Sequence, residues 1–174
     1  MSAAGSGRGA AATPLAFRVS APSAGDVEAA AELWARTTTV RDSELEVPGL
    51  ERSLPLIEDA MSSSRSLLLL AGEPDGRLLA FAAAQPLSGE GEETANVRYV
   101  AVHPDVWGRG IGSALMAALR PELLALGYRR AELWARAENS RAIAMYERAG
   151  WRRTGRRDRH PQTGRMRCYL GIDL

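Results

Sequence analysis

Val97-Arg98-Tyr99-Val100-Ala101-Val102-His103-Pro104-Asp105-Val106-Trp107-Gly108-Arg109-Gly110-Ile111-Gly112-Ser113-Ala114-Leu115-Met116 is the stretch that decides how this chain folds. An apolar run stops at His103-Pro104. Glycines alternate at 108, 110 and 112, and an apolar, helix-favouring segment runs from Ala114 to Leu126. Strand, glycine turn and helix, in that order, build an anion site from main chain alone. The first N–H groups of a helix lack intrahelical partners and point toward an incoming phosphate. The helix macrodipole adds roughly half a positive charge there. Glycine lets a ligand approach the backbone closely and adopts positive φ at little cost.

Spacing separates the ligand classes that use such turns. A P-loop needs Lys then Ser or Thr after its last glycine. Here Ser113-Ala114 follows Gly112, and the chain has no Lys. A dinucleotide fingerprint needs Gly-x-Gly-x-x-Gly directly after the strand. Here the pattern is Gly-x-Gly-x-Gly, and His103 to Trp107 intervene. Glu132 lies about where a ribose-binding acid would stand, but Leu133-Trp134 follow it, which places it inside the next strand.

A second segment is equally informative. Ala131-Glu132-Leu133-Trp134-Ala135-Arg136-Ala137 alternates like a strand. In the helix pattern that follows, Asn139 or Ser140 is a good N-cap, and Gly150 is placed to end the helix.

Pro104-Asp105-x-Trp107-Gly108-Arg109-Gly110-Ile111-Gly112-Ser113 resembles the acyl-CoA pyrophosphate loop of the GNAT superfamily of N-acetyltransferases. Its pattern is Gln/Arg-x-x-Gly-x-Gly/Ala. Trp107 stands at the Gln/Arg position, a departure that leaves the backbone cradle intact, and Arg109 could supply the missing charge. Asn139 to Trp151 resembles the family's Asn-x-x-Ala-x-x-x-Tyr-x-x-x-Gly-Phe, with Ala142, Tyr146 and Gly150 in place and Trp151 for Phe. The resemblance covers roughly Arg77 to Leu174.

The resemblance implies an α/β (α+β) fold: a single domain with a mixed, mostly antiparallel, twisted sheet flanked by helices and splayed open near the strand at Asn96 to Val102. It also implies acetyl-CoA as co-substrate and no metal. The expected cofactor-binding set is Val100, Ala101, Val102, Trp107, Gly108, Arg109, Gly110, Ile111, Gly112, Ser113, Asn139 and Ala142. Tyr146 would be the general acid toward the leaving thiolate. The general base often stands on the strand before the loop, where this chain has Asn96, which cannot act as one. Glu92 and Glu93 could relay through water, and Glu93 is the expected base. Glu44, Glu46 and His103 are outside candidates. The implied reaction is acetyl transfer to a primary amine by direct attack in a ternary complex. The acceptor is a small-molecule amine or a peptide. A protein N-terminal or lysine acetyltransferase and a non-catalytic acyl-CoA-binding module are the alternatives.

Composition agrees with one domain, expected over residues 15–174 after a disordered lead-in at residues 1–14. Hydrophobic residues make up 45% and charged residues 25%, both average for a globular chain. A net charge of +1 gives no argument for nucleic acid or membrane. The basic run Arg152, Arg153, Arg156, Arg157, Arg159 reads as a solvated face. A single Cys168 permits no internal disulfide, so a cytoplasmic location is the expectation. The final hairpin is a candidate pairing element for a homodimer.

Periodicity outlines the rest. Strands are expected at Ala16–Val19, Ser66–Ala71, Arg77–Ala84 and Asn96–Val102. A helix is expected from Val27 to about Thr37, and another over Leu50–Met61, broken by Pro55. Pro74-Asp75-Gly76 is a hairpin turn, and Trp151–Thr154 should pair with Arg167–Ile172.

Overall fold

The computed structural model describes residues 15–20, 23–89 and 93–174. The expected lead-in at residues 1–14 and the candidate base Glu92 lie outside them. In chain order the elements are β1 (Ala16–Ser20), α1 (Ala24–Asp42), α2 (Leu50–Ala60), β2 (Leu67–Gly72), β3 (Leu78–Pro86) and β4 (Thr94–Val102). A 3-10 turn (Pro104–Val106), α3 (Ile111–Ala125), β5 (Arg130–Arg136), α4 (Ser140–Arg148), β6 (Arg152–Arg159) and β7 (Met166–Asp173) follow.

The strands form one seven-stranded sheet in the order β1-β2-β3-β4-β5-β7-β6. All neighbours are antiparallel except β4 and β5. That parallel contact lasts for Thr94↔Arg130, Ala95↔Ala131 and Asn96↔Glu132, and then the strands part. The expected splay is therefore present, and it opens toward the C-terminal ends of both strands.

Two cores lie on opposite faces. Leu67, Leu69, Ala82, Val97, Leu133, Ala135 and Leu170 pack against Leu115, Leu119 and Leu123 of α3 and Ile143 and Tyr146 of α4. Leu68, Leu70, Phe81, Ala83, Tyr99 and Ala101 pack against Ala30, Ala31 and Leu33 of α1 and Ile57 of α2. A β-bulge lets β4 serve both. Ala84 pairs with Val97 and Ala83 with Tyr99, so Arg98 is an extra residue. One surplus residue reverses which way every later side chain points. Val97 faces the α3 side, Tyr99 and Ala101 face the α1 side, and Val100 and Val102 return to the α3 side.

The two first helices differ from the sequence expectation. The periodicity places the end of the first helix near Thr37, yet α1 continues through Thr38, Thr39 and Val40 to Asp42. The hydroxyls of Thr38 and Thr39 donate back to the carbonyl of Ala35, which absorbs their polarity within the helix. The helix starts at Ser23, whose hydroxyl accepts from the Asp26 N–H at 3.2 Å. Pro55 does not break α2, which is continuous. A proline forfeits one backbone bond, and the apolar burial of Ile57 and Ala60 offsets it. The final pair is also longer than expected. β6 is an exposed edge strand whose charges discourage pairing with another sheet.

Candidate active site

The loop after β4 is held open by glycine. Gly108 and Gly110 have φ of 81° and 80°, a region that costs other residues strain. Gly110 caps α3, and the Ala114 N–H donating to its carbonyl closes the first helical turn. The N–H groups of residues 108 and 110–113 make no hydrogen bond among the described residues. Together they form a concave set of donors at a helix N-terminus, suited to a diphosphate. Gly112 lets α4 pack close for another reason: a Cβ there would displace the Met145 side chain. Ser113 is exposed at the rim. Arg109 is also exposed, and its N–H bonds to the Val106 carbonyl within the loop.

Trp107 braces this loop. Its indole N–H donates to the Val102 carbonyl at 2.7 Å. The Arg141 guanidinium stacks over its ring at 4.5 Å. The departure from the family pattern therefore has a structural use: it ties the loop to the strand end. Thr37 of α1 also donates to the Val102 carbonyl, at 3.3 Å.

The parted strands leave main-chain groups facing the gap. The His103 N–H donates to the Leu79 carbonyl. By alternation, the Tyr99 and Ala101 peptides also face β3, while those of Val100 and Val102 face the gap. Ala101, expected in the cofactor set, thus points away and packs in the α1-side core. The Val102 carbonyl already holds Trp107 and Thr37, so the Val100 groups and the Val102 N–H are what remain toward the gap.

The gap opens into a cavity of about 640 Å³. The glycine loop, Asn139, Ala142, Met145 and Tyr146 line it on the α3 side, and Trp34, Thr37, Val40 and Arg41 on the α1 side. Asn139 caps α4 by accepting from the Ala142 N–H at 3.2 Å, and its amide nitrogen donates to nothing among the described residues. Tyr146 is 7% exposed. Its hydroxyl makes no hydrogen bond among the described residues. Burial pushes its pKa well above the ordinary value, against a smaller opposing effect of Arg41.

Sequence reasoning missed the arginine cluster of the α1-side wall. Arg41 and Arg136 both grip Asp42, Arg41 through Nε at 2.9 Å and Arg136 through Nη2 at 2.9 Å. The three residues come from the end of α1 and the end of β5, too far apart in sequence for spacing to join them. Burial works against an ionised Asp42, but the hydrogen bonds and charges of the two guanidinium groups prevail and lower its pKa from 3.8 to about 2. A depressed pKa stabilises the fold above the unfolded value and loses that contribution as pH falls through the folded one. The stability advantage of the wild type over Asp42→Asn should therefore hold at neutral pH and vanish between about pH 4 and pH 2. Melting curves by circular dichroism across that window check this; a constant difference would mean the carboxylate charge is irrelevant.

The structure does not bring Glu93 to this cavity. Glu93 precedes β4 at the closed end of the splay, exposed and ion-paired with Arg129 at 3.3 Å. Asn96 sits in the ladder opposite Glu132. Glu44 and Glu46 are exposed on the loop after α1. The Nδ1 of His103 accepts from the Asp105 N–H, and the ring does not line the cavity. Cys168 is buried in the α3-side core. Among the described residues no His, Cys, Asp or Glu cluster could hold a metal ion, and no helix is long and apolar enough to cross a membrane.

Comparison with known proteins agrees with this geometry. The family model described as "Acetyltransferase (GNAT) family" matches residues 29–151. An acetyltransferase of Pectobacterium atrosepticum is 32% identical over 126 residues, 71% of this chain and 79% of that one. A mycothiol acetyltransferase of Clavibacter michiganensis is 41% identical over 87 residues, 50% of this chain. The match spans only 27% of that longer protein. Among solved structures, the ribosomal-protein-S18-alanine N-acetyltransferase of Escherichia coli superposes with a TM-score of 0.69 at 24% identity, covering 91% of this chain and 94% of that one. A Salmonella typhimurium protein solved with its cofactor acetyl-CoA gives 0.70 at 18% identity, covering 92% and 94%. Glycine cradle, parted strands and family match coincide over the same residues, and the chain belongs to the GNAT family of acetyltransferases.

Proposed function

We propose that this chain transfers an acetyl group from acetyl-CoA to a primary amine by direct attack within a ternary complex. The observation that carries the reading is the continuity of the cavity. It runs from the glycine cradle on one face of the sheet, through the gap between β4 and β5, to a separate wall on the other face. A diphosphate fits the N–H groups of residues 108 and 110–113. An extended amide chain fits the gap, where the Val100 groups and the Val102 N–H act as a strand edge. The Asn139 amide nitrogen is a further donor along that path.

Acetyl-CoA supplies a thioester whose carbonyl carbon the amine attacks, with CoA thiol as the product. The N–H groups facing the gap favour charge that develops on the carbonyl oxygen. Tyr146 donates a hydrogen bond to the departing sulfur. A thiol has a pKa of about 8.5, and the Tyr146 hydroxyl, raised by burial, keeps its proton throughout the working range. It stabilises the thiolate as a donor and does not need to surrender the proton. No carboxylate lines the cavity among the described residues, so the amine proton leaves to water. The arginines of the α1-side wall lower the pKa of a nearby ammonium and assist that loss. Cys168 is buried away from the cavity, which supports direct attack over an acyl-enzyme.

Isothermal titration with acetyl-CoA, with NADH and ATP as controls, tests the cofactor half. Acetyl-CoA alone should bind, with Kd on the order of micromolar, near −8 kcal/mol. Thiol release upon adding amines then tests transfer. Binding of NADH or ATP without acetyl-CoA would overturn the reading of the cradle. Binding without transfer to any amine would favour an acyl-CoA-binding module.

A further inference from the structure

The charged residues lining the cavity are Arg41, Arg98, Arg136, Arg141 and Arg148, with no Asp or Glu among the described residues. They divide between the two faces. Arg141, stacked on Trp107, belongs to the cradle side. Arg41, Arg98 and Arg136 belong to the opposite wall. Ala131, Leu133 and Ala135 of β5 face the α3-side core, so Trp134 and Arg136 point the other way, toward α1. Arg98 is the bulged residue of β4, bonded to Asp59 of α2 and, at 3.4 Å, to the Tyr99 hydroxyl.

This wall carries more cation than anion. Asp42 is shared by Arg41 and Arg136, whose side chains are 27% and 13% exposed. Both its oxygens accept from both guanidinium groups, so it has nothing left for an ammonium. Arg41 Nη1 and Arg136 Nε make no hydrogen bond among the described residues. Asp59, the partner of Arg98, is 64% exposed and well screened by solvent. Trp34 and Trp134 add flat apolar surface beside these charges.

We propose that the acceptor is a small amine that also carries an anion close to the amino group: a carboxylate, phosphonate or phosphinate, as in an amino acid. The inference rests on the acetyl-transfer reading above and narrows its acceptor. A simple amine, a polyamine or an aminoglycoside would bring only positive charge to a positive wall. An amine with a carboxylate gains charge-assisted hydrogen bonds from the free guanidinium donors and leaves its nitrogen toward the gap. The aromatic rings then receive its side chain.

The test is thiol release from acetyl-CoA with the twenty amino acids, their carboxamides, the matching decarboxylated amines and aminomethylphosphonate. Acetyl-CoA binding is measured in parallel by titration. The best acceptor should carry the anion, and its amide should fall by about 100-fold in kcat/KM. Arg98→Gln and Arg136→Gln should each raise KM for that acceptor about tenfold or more and shrink its preference over the amide. Acetyl-CoA affinity should stay the same, which also shows the variants are folded. Two outcomes overturn the proposal while acetyl transfer stands: an uncharged or purely cationic amine as best acceptor, or unchanged preference in both folded variants. Acetyl-CoA binding with no anionic amine acetylated above hydrolysis overturns it as well. Failure to bind acetyl-CoA at all removes the underlying reading instead.

Discussion

Tyr146→Phe should lower kcat for acetyl transfer by about 100-fold and leave the acetyl-CoA Kd within about twofold. Phe keeps the ring that packs beside Trp151, with centroids 6.4 Å apart, and removes only the hydroxyl. That hydroxyl makes no hydrogen bond among the described residues, so the fold loses nothing by its removal and thermal stability should hold or rise slightly. What disappears is a donor fixed at the gap, whose value is realised only when charge grows on sulfur. Because burial holds the hydroxyl protonated, wild type and variant should share one pH profile below about pH 10. Steady-state kinetics with binding measured separately decides the matter. Equal kcat in the two proteins would reduce Tyr146 to a wall of the cavity.

The cradle makes a prediction that separates two observables. Gly110→Asp should weaken acetyl-CoA binding by about 1,000-fold, since like charges about 4 Å apart repel by about 4 kcal/mol near a protein surface and every 1.4 kcal/mol is about tenfold. Gly110 has φ 80° and a Cβ there would meet nothing within 4 Å. Asp tolerates that left-handed backbone better than most residues. A carboxylate beside the start of α3 also complements the helix dipole. The dipole offsets part of the backbone strain, so the free protein should melt only a few degrees lower, while its affinity collapses. Gly110→Asn, neutral and equally tolerant of the backbone, should cost less than about tenfold. Comparable losses in both variants would mean that shape, and not charge, governs the loop.

The parts legible in the sequence are those whose cause is local. Glycines at alternate positions after an apolar run announce a turn at a helix start, and Asn139 and Gly150 bracket α4 by their own chemistry. The end of α1 and the continuity of α2 through Pro55 were not legible, because the Thr38 and Thr39 hydroxyls fold back onto the helix and because packing outweighs one missing bond at Pro55. The α1-side wall was beyond reach for a different reason. Arg41, Arg98 and Arg136 are ordinary arginines in a chain rich in them. Only the packing of α1 across the parted strands makes them neighbours. Glu93 shows the converse: nearness in sequence to Asn96 suggests a base, yet it stands at the closed end of the splay, paired with Arg129.

The surplus residue at Arg98 also decides how β4 tolerates change. Ala95, Val97, Tyr99 and Ala101 look like one continuous stripe on paper, yet they furnish two rooms separated by the sheet. The bulge works as a frameshift within a strand. Loss of Arg98 alone would absorb the bulge and leave every later residue on its present face, whereas straightening the bulge at full length would exchange the contents of the two rooms from that point onward. Tyr99, whose ring packs edge-on against Trp34, and Val100 would then trade sides, with no substitution at any residue of the cavity. For this strand, the place of the extra residue is as strict a specification as composition.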